Sequence, residues 1–238
     1  RLAAVTFDAW GTLVRARKSV GYQYLKYAKS YGIDAVSQER LDAAVPSTLS
    51  AMLTERPNFD RASGAATAEA WWSEFIRRLF VAASDGALKP KDVPEIMCKN
   101  LRNFYKTPGA VELTEGCSET LEALAARSLK LGVLSNFDDR LPDILACLGV
   151  ADRFAAVVSS FEADLVKPDP RIFALAAKRL GEEPGAILHV GDDRRNDFEA
   201  ARACGFRALL LDPAGREAAD VPQELRIERL DQLMQRLD

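Results

Sequence analysis

Hydrophobic and polar positions follow two different patterns along this chain. From Leu131 onward, short apolar runs of β type are separated by segments with helical periodicity, and a run near the start of the chain has the same β character. Alternating strands and helices predict parallel βαβ units, and nearly continuous apolar strands predict a sheet that is covered on both faces. The predicted strands are AAVTF, LGVLS, FAAVVSS, AILHV and FRALLLD.

The region from about Arg15 to Lys106 lacks such strands and shows helical periodicity instead. Pro46 is expected to kink or divide one of its helices. The helices expected there are YQYLKYAKSYG ending at Gly32, a segment from Leu41 to Met52 with Ser37 as its N-cap, TAEAWWSEFIRRLF with Thr67 as its cap, and Ile96 to Phe104. We therefore predict an α/β protein with a Rossmann-like parallel sheet core, residues 1–14 and 107–238, and an inserted helical cap domain, residues 15–106.

Within the predicted core, helix signals separate the later strands. A helix is expected around Leu141 to Leu148, and Asp169 followed by Pro170 is a typical N-cap and first position of the next one. Asn196 or Asp197 is expected to start the helix that ends near Gly205.

Composition narrows the class of protein. The 238 residues are 48% hydrophobic, and 32 basic against 35 acidic residues give a formal charge of -3, which argues against a nucleic-acid partner. No apolar run approaches the ~20 residues of a membrane span. The four scattered cysteines and single histidine indicate neither a disulfide framework nor a zinc site. We expect a cytoplasmic monomer or homodimer that binds a small molecule.

Polar residues follow the predicted strands at four places. Open parallel sheets bind ligands beyond the carboxyl ends of their strands, so these residues are the site candidates. They are Asp8 after the first strand, Ser135 and Asn136 after the second, Lys167 after the third, and Gly191, Asp192, Asp193 and Asp197 after the fourth.

Such a set suits metal-assisted phosphoryl transfer. Asp8 and Asp192 can share Mg²⁺, which prefers oxygen ligands, and Asp8 can attack phosphorus as a carboxylate nucleophile. The backbone amides of Gly11 and Thr12 are predicted to bind the substrate, and Ser135, Asn136 and Lys167 complete its binding site. Catalytic roles are assigned to Asp8, Lys167 and Ser135.

Each of these residues also has a purely structural explanation. A single Asp after a strand is commonly a turn residue, Ser135-Asn136 is ordinary turn chemistry, and Lys167 can be a solvated lysine. His189 is expected to be a core residue or a neighbour of the site rather than a base. The four strand-end positions in one chain, in this order, favour the functional explanation.

Four segments resemble the motifs of the haloacid dehalogenase superfamily of hydrolases. They are FDAWGTL, LGVLSN, VKPDPRIF and HVGDDRRNDFEAARACGF. The segments PNFDRASGAATAEAWWSEF and SNFDDRLPDIL are similar to its rhythmically-expressed-gene-type branch. The resemblance implies that Asp8 is the nucleophile, that the backbone carbonyl of Trp10 and Asp192 complete the protein ligands of Mg²⁺, and that Asp197 supports the metal or Lys167. It also implies that a mobile helical cap closes over the substrate.

Trp10 departs from the phosphatase pattern of that superfamily. Its phosphatases usually have a second Asp at this position, which protonates the leaving oxygen, and an indole cannot exchange a proton at neutral pH. The 2-haloacid dehalogenases resemble this chain there, with an aromatic residue, because halide leaves without a proton. The GDDRRND segment favours the opposite assignment, since dehalogenases need no metal.

Three functions remain open from the sequence. The first is a Mg²⁺-dependent phosphatase of a small phosphorylated metabolite, slowed by Trp10. The second is a metal-independent 2-haloacid dehalogenase, with an arginine such as Arg40 to receive halide. The third is a binding protein for a phosphorylated metabolite with little turnover. The sequence does not identify the substrate. The helical region would supply specificity, and its sequence shows only the amphipathic pattern of helix packing.

Overall fold

The computed structural model describes residues 1–217 and 219–237, and the chain divides into two compact units. Arg1–Arg15 together with Leu113–Asp238 form the first unit, and Ala16–Glu112 form the second. The first unit contains the sheet, and the second is largely helical. A role of the helical unit as a cap over a substrate stays a prediction.

The strands of the first unit form one parallel sheet. Its order is β5-β4-β1-β6-β7-β8, and every neighbouring pair is parallel. The bounds are β1 Ala4–Phe7, β2 Val14–Ala16, β3 Val111–Leu113, β4 Lys130–Ser135, β5 Ala156–Ser159, β6 Ile187–Gly191, β7 Arg207–Leu211 and β8 Arg226–Ile227. Strands β2 and β3 form a separate two-stranded sheet. The predicted α/β class with a parallel sheet is confirmed.

The sheet reverses its strand order at β1. This strand is buried along its whole length and lies between β4 and β6, with Phe7 level with Val133 on one side and Val190 on the other. The three strands therefore end at the same edge. Because the chain order changes direction there, the carboxyl end of β1 is the expected ligand site of this topology.

Ten α-helical segments lie among the described residues. They are α1 Val20–Ser30, α2 Gln38–Glu55, α3 Pro57–Asp60, α4 Glu69–Ala83, α5 Glu95–Phe104, α6 Cys117–Ala126, α7 Leu141–Cys147, α8 Ser160–Ala163, α9 Pro170–Leu180 and α10 Ala200–Ala203. Shorter 3₁₀ segments are Arg61–Ser63, Pro90–Asp92, Ala151–Arg153, Pro184–Ala186, Gln223–Leu225 and Leu230–Arg236, and Arg194–Glu199 is a π-helix. None of the helices in this part of the chain combines the length and apolarity that crossing a membrane requires.

Two predicted helix starts are confirmed by their hydrogen bonds. Ser37 accepts a bond from the Arg40 amide at the start of α2. Asp169 accepts one from the Arg171 amide at the start of α9, and Pro170 occupies the first turn. In both cases the side-chain oxygen satisfies an amide that the helix leaves without a carbonyl partner.

Three other helix predictions need more detail. Helix α4 begins at Glu69, and the predicted cap Thr67 accepts a hydrogen bond from the Glu69 amide at 3.5 Å, although Ala68 is the N-cap by position. Pro46 lies inside α2 and does not divide it, and the expected kink stays a prediction. The segment after β6 begins after Asp193, whose carboxylate accepts the Asn196 amide, so Asn196 and Asp197 lie within the helical turn.

The sheet is covered by α9 through an apolar face. Phe173 is fully buried, and its ring makes edge contacts with His189, 5.8 Å away, and Phe206, 5.6 Å away, measured between ring centroids. Burial of a side chain of this size contributes about 1.5–3 kcal/mol. The packing fixes β6, and with it the residues that follow the strand.

The second unit packs four long helices around aromatic side chains. Helix α2 contacts both α1 and α4. Trp71 of α4 is buried, stacks on Phe75 and makes an edge contact with Trp72. The pair of tryptophans therefore serves helix packing.

Candidate active site

Lys167 and Asp8 form a buried ion pair at the carboxyl edge of the sheet. Lys167 Nζ donates to Asp8 Oδ1 at 2.7 Å, to the Leu134 carbonyl at 3.0 Å and to Asp197 Oδ1. The lysine is 3% exposed. An ammonium has three N–H groups, so these bonds use all of them, and Lys167 acts on its surroundings through its charge.

The sequence suggested that Lys167 directly follows a strand, but in the structure it does not. Strand β5 ends at Ser159, and α8 and a loop separate it from the lysine. The Asn136 side chain holds this loop: its Oδ1 accepts the Lys167 amide at 2.7 Å, and its Nδ2 donates to the Lys167 carbonyl at 3.0 Å. Asn136 therefore positions the lysine through its side-chain amide, and its predicted contact with substrate stays a prediction.

Asp197 is anchored on both of its oxygens. Oδ1 accepts from Lys167 and from His189 Nε2, and Oδ2 accepts the Asp193 amide at 3.1 Å. Burial would raise the pKa of this carboxyl, but the charge of Lys167 and the bond from His189 outweigh it and hold the pKa far below its usual range. Asp197 is therefore an ionised residue that orients Lys167.

His189 connects Asp197 to Thr6 in strand β1. It is fully buried, with Nε2 at 3.1 Å from Asp197 Oδ1 and Nδ1 at 2.9 Å from the Thr6 hydroxyl. Burial lowers the pKa of His189, so the imidazole is neutral and carries a single N–H. That N–H belongs on Nε2, because the Asp197 carboxylate can only accept, and Thr6 donates to Nδ1.

Asp192 and the turn after β1 lie against each other. Thr12 Oγ1 donates to Asp192 Oδ1 at 3.1 Å. Gly11 has a φ of +89°, and a Cβ at this position would overlap the Asp192 carboxylate. A Cβ on Gly191 would likewise overlap Asp197. Both glycines are required by the close approach of a carboxylate.

The Gly11 amide is not the oxygen-binding donor that the sequence predicted. It donates to the Val14 carbonyl at 2.8 Å and so closes its own turn. Gly11 contributes space instead, while the Thr12 hydroxyl holds Asp192. The predicted contact of Thr12 with substrate stays a prediction.

Ser135 and Trp10 complete the edge of the sheet. Ser135 is buried as the last residue of β4. Trp10 is 39% exposed, and its ring centroid lies 6.4 Å from that of Phe137. The residue two positions after Asp8 is thus a partly exposed aromatic residue and not an acid.

The site carries more negative charge than its one ammonium balances. With all groups ionised, three carboxylates and Lys167 leave two negative charges uncompensated. Burial raises the pKa of Asp8 to about 7 against the opposing charge of Lys167, and the charges of Asp197 and Asp192 add to the rise. The Asp192 residue is exposed, yet partial burial of its carboxylate, with the charge of Asp197, raises its pKa as well.

A divalent cation fits this cluster. One oxygen of each of Asp8, Asp192 and Asp197 lies within 4.8 Å of the others. Hard cations such as Mg²⁺ and Ca²⁺ take oxygen ligands, and a charge of +2 equals the excess negative charge. Asp8 and Asp192 each keep one oxygen that accepts no hydrogen bond from the described residues, whereas both Asp197 oxygens are occupied. The Trp10 carbonyl stays a predicted ligand.

One contributor to the site was missed from the sequence, and the role of another was not foreseen. Thr6 is a polar residue inside an apolar strand, and this break in the pattern could have indicated its bond to His189. Asp193 caps the turn through its carboxylate and holds Asp197 through its amide, a role that needs tertiary geometry to see.

A parallel α/β fold with a buried Asp–Lys pair and an acidic cluster at its switch point defines a class of hydrolases, and comparison identifies the family. The model of the haloacid dehalogenase-like hydrolases matches residues 2–205. The chain belongs to this family of hydrolases.

Two relatives match most of the chain. The Bos taurus protein named haloacid dehalogenase-like hydrolase domain-containing protein 3 is 34% identical over 244 residues, covering 100% of this chain and 94% of its own. The Drosophila melanogaster protein named rhythmically expressed gene 2 protein is 30% identical over 219 residues, covering 89% and 83%. The branch suggested by the sequence is confirmed.

Solved structures share the fold. A HAD phosphatase from Thermococcus onnurineus has a TM-score of 0.64 at 24% identity, covering 99% of this chain and 98% of its own. A 2-haloacid dehalogenase from Pseudomonas syringae pv. Tomato DC3000 has a TM-score of 0.67 at 24% identity, covering 100% and 98%. At this identity the likeness concerns the fold alone.

Proposed function

We propose that this hydrolase is a Mg²⁺-dependent phosphatase of a small phosphorylated metabolite, with Asp8 as its nucleophile. The observation that carries the proposal is the acidic cluster of Asp8, Asp192 and Asp197, with Lys167 bonded between two of its members. A dehalogenase has no use for the two surplus negative charges of this cluster. A phosphatase needs them to bind the cation that accompanies its anionic substrate.

In the first step, a carboxylate oxygen of Asp8 attacks phosphorus. The bond from phosphorus to the ester oxygen breaks, and that oxygen leaves with the electron pair and takes a proton from water. Asp8 becomes an aspartyl phosphate. Trp10 supplies no proton, so leaving groups that are stable as anions react fastest.

In the second step, water attacks the phosphorus of the aspartyl phosphate. The bond from phosphorus to Asp8 breaks, the carboxylate is restored, and inorganic phosphate leaves while the proton of the water passes to solvent or phosphate. Lys167 keeps its bond to Asp8 and opposes the negative charge that develops at the site. Ser135, at the end of β4, is proposed to bind a phosphoryl oxygen.

Asp8, Asp192 and the Trp10 carbonyl would hold Mg²⁺, with Asp197 orienting Lys167 beside it. When bound, the cation neutralises charge on the phosphoryl oxygens, so that a carboxylate can approach phosphorus. Thr12 keeps Asp192 in place through its hydroxyl, 3.1 Å away.

A 2-haloacid dehalogenase is the second candidate, and the exposed aromatic ring of Trp10 favours it. In that reaction Asp8 attacks the carbon that carries the halogen, the carbon–halogen bond breaks, and halide leaves with the electron pair. Water then hydrolyses the ester. No proton donor at position 10 is needed for the leaving group.

A release screen tests both candidates. Purified protein is incubated with a panel of phosphate esters and 2-haloacids, with Mg²⁺ or with a chelator, and Asp8→Asn is the matched control. We expect phosphate release that needs Mg²⁺ and is abolished in Asp8→Asn. Halide release that survives the chelator would establish the dehalogenase instead.

A third outcome distinguishes a binding protein. Thermal stabilisation by a phosphorylated compound without product, unchanged in Asp8→Asn, would contradict both enzymatic proposals. Phosphate release from wild type that persists in Asp8→Asn would contradict the assignment of the nucleophile.

A further inference from the structure

A cavity of about 420 Å³ lies in the first unit, away from the acidic cluster. Leu188 in β6 and Arg207 and Leu209 in β7 are part of its lining. Leu188 is level with Arg207 in the register of these parallel strands, near their amino ends. Asp192 follows the carboxyl end of β6, so the cavity and the candidate active site belong to opposite edges of the sheet.

Among the described residues, three arginines border this cavity, against a single acidic side chain, Glu224. Arg202 lies over the Phe198 ring at 5.2 Å, and within the described part of the chain Arg236 donates to two carbonyls, at 3.3 and 3.4 Å, and to no carboxylate. The Arg207 side chain makes no ion pair or hydrogen bond with any residue that the structure describes. The border therefore carries a net charge of about +2 at neutral pH.

Other arginines of the same unit are neutralised by carboxylates. Ion pairs with Asp or Glu are made by Arg140, Arg153, Arg171, Arg179, Arg194, Arg226 and Arg229. The three guanidinium groups at the cavity have no such partner among the described residues. They remain available to an external anion.

Part of the cavity lining is apolar. Leu188, Leu209 and Phe206 contribute to its lining, and each is only 5% exposed. A hydrated ion such as free phosphate gains nothing from such a surface, whereas a hydrocarbon group is removed from water there. The volume lies in the range of about 300–1,000 Å³ that is common for small-molecule sites.

We propose that this cavity binds a small amphipathic anion. Its carboxylate, phosphate or sulfonate group pairs with the guanidinium groups of Arg202, Arg207 and Arg236, and its apolar body lies on the leucine and phenylalanine side chains. Planar guanidinium groups suit such anions because they donate paired hydrogen bonds. This site is independent of the proposed phosphatase chemistry, since it shares no residue with the acidic cluster.

Anilinonaphthalene sulfonate is a suitable probe, because it joins a sulfonate to an aromatic body and fluoresces when bound. At low salt we expect one site per chain. Arg207→Gln should weaken binding about tenfold, the effect of losing one charge-assisted hydrogen bond. Glu224→Gln should tighten binding, because it removes the one repelling charge. Arg216→Gln, an exposed arginine of the same unit outside the cavity, should change nothing.

Competition separates the parts of the ligand. Octyl phosphate and octanoate should displace the probe, and inorganic phosphate at the same concentration should not. Asp8→Asn should bind the probe as wild type does, which distinguishes this cavity from the candidate active site. Equal affinity in wild type and folded Arg207→Gln, or displacement by inorganic phosphate alone, would overturn the proposal.

Discussion

Asp8 and Asp197 share the ammonium of Lys167, but their electrostatic situations are opposite. Asp8 receives one bond from Lys167, and burial raises its pKa to about 7. Asp197 receives bonds from Lys167, His189 and the Asp193 amide, and its pKa lies far below the usual range. Ionisation of Asp8 thus destabilises the folded protein, whereas ionisation of Asp197 stabilises it.

Asp8→Asn should stabilise the metal-free protein at alkaline pH. The folded pKa of Asp8 is raised from 3.8 to about 7. Proton binding by Asp8 therefore stabilises the folded wild type fully below about pH 4, and this stabilisation is lost as the pH rises to about 7. The amide has no proton to lose, so the gain grows over this window, to at most about 4 kcal/mol. Unfolding by urea in the presence of chelator measures it at several pH values.

Asp197→Asn should have the opposite effect. Removing this charge leaves Lys167 and His189 without their shared acceptor, and breaking a buried ion pair costs about 3–5 kcal/mol. The same urea series provides the comparison. Equal effects of the two substitutions would contradict the assigned difference between the carboxylates.

Trp10→Asp should accelerate phosphate release if the chain is a phosphatase. The new carboxyl can protonate the leaving oxygen, and general acid catalysis contributes about 100-fold or more, so a gain of at least about tenfold is expected with alkyl esters. Aryl phosphates with acidic leaving groups should gain least, because they leave without a proton. Steady-state kinetics over a series of leaving groups measure this.

Trp10→Phe is the matched control for this change. It keeps an aromatic ring beside Phe137 but adds no proton donor, so its rates should stay near those of wild type. A folded Trp10→Asp variant whose rate equals that of Trp10→Phe would show that the missing acid does not limit turnover.

At the scale of an element, the turn after β1 should tolerate no side chain at Gly11. Gly11→Ala strains a φ of +89° and forces a methyl group into the Asp192 carboxylate. We expect Mg²⁺ to bind at least about tenfold more weakly. Changing a residue that holds a metal ligand in place typically lowers metal affinity about 10- to 100-fold. Calorimetric titration with Mg²⁺ measures the affinity directly.

Gly185→Ala is the control for the turn. This glycine lies in the 3₁₀ segment Pro184–Ala186, and a Cβ there meets no atom within 4 Å. Its Mg²⁺ affinity should equal that of wild type. If Gly11→Ala also binds Mg²⁺ normally, Asp192 is not a ligand or the turn can move aside.

At the scale of the molecule, the cysteines should report on both units. Burial raises the pKa of Cys98 to about 11 and that of Cys117 to about 12, and the two thiols lie in different units. Cys147 and Cys204 are partly exposed. Because the thiolate is the reactive form, alkylation near pH 8 should modify the last two first.

Mass spectrometry after timed alkylation measures each site separately. Cys98 and Cys117 should react only when urea opens the unit that contains each of them. Rapid modification of either one in native buffer would contradict its burial.

Much of the fold was readable from local pattern. Continuous apolar runs identified the five longer strands of the main sheet, and cap chemistry identified Ser37 and Asp169 correctly. The short strands β2, β3 and β8 were missed, because two or three residues are too few to show an alternation of apolar and polar positions. Thr67 bonds the first amide of α4 from one position before the N-cap, because side-chain propensity does not determine the exact residue at which a helix begins.

The residues of the site were also chosen from the sequence, but several of their contacts were not foreseen. Strand-end position and motif resemblance selected Asp8, Lys167, Asp192 and Asp197, which the structure brings together. The backbone amide of Gly11 was expected to face a ligand, but it donates to the Val14 carbonyl. The bonds by which the Asn136 side chain holds the Lys167 loop were not foreseen either, because they join residues 31 positions apart.

The sequence by itself determined the parallel α/β class, the family and the carboxylates of the cluster, because periodicity and motif order are local properties of the chain. Tertiary structure decided how charge is distributed among them. The pKa of a buried group depends on desolvation and on charges brought from distant segments, as when Lys167 meets Asp8 across 159 positions. The same holds for the arginine-bordered cavity, whose residues come together only when the strands and the C-terminal segments pack.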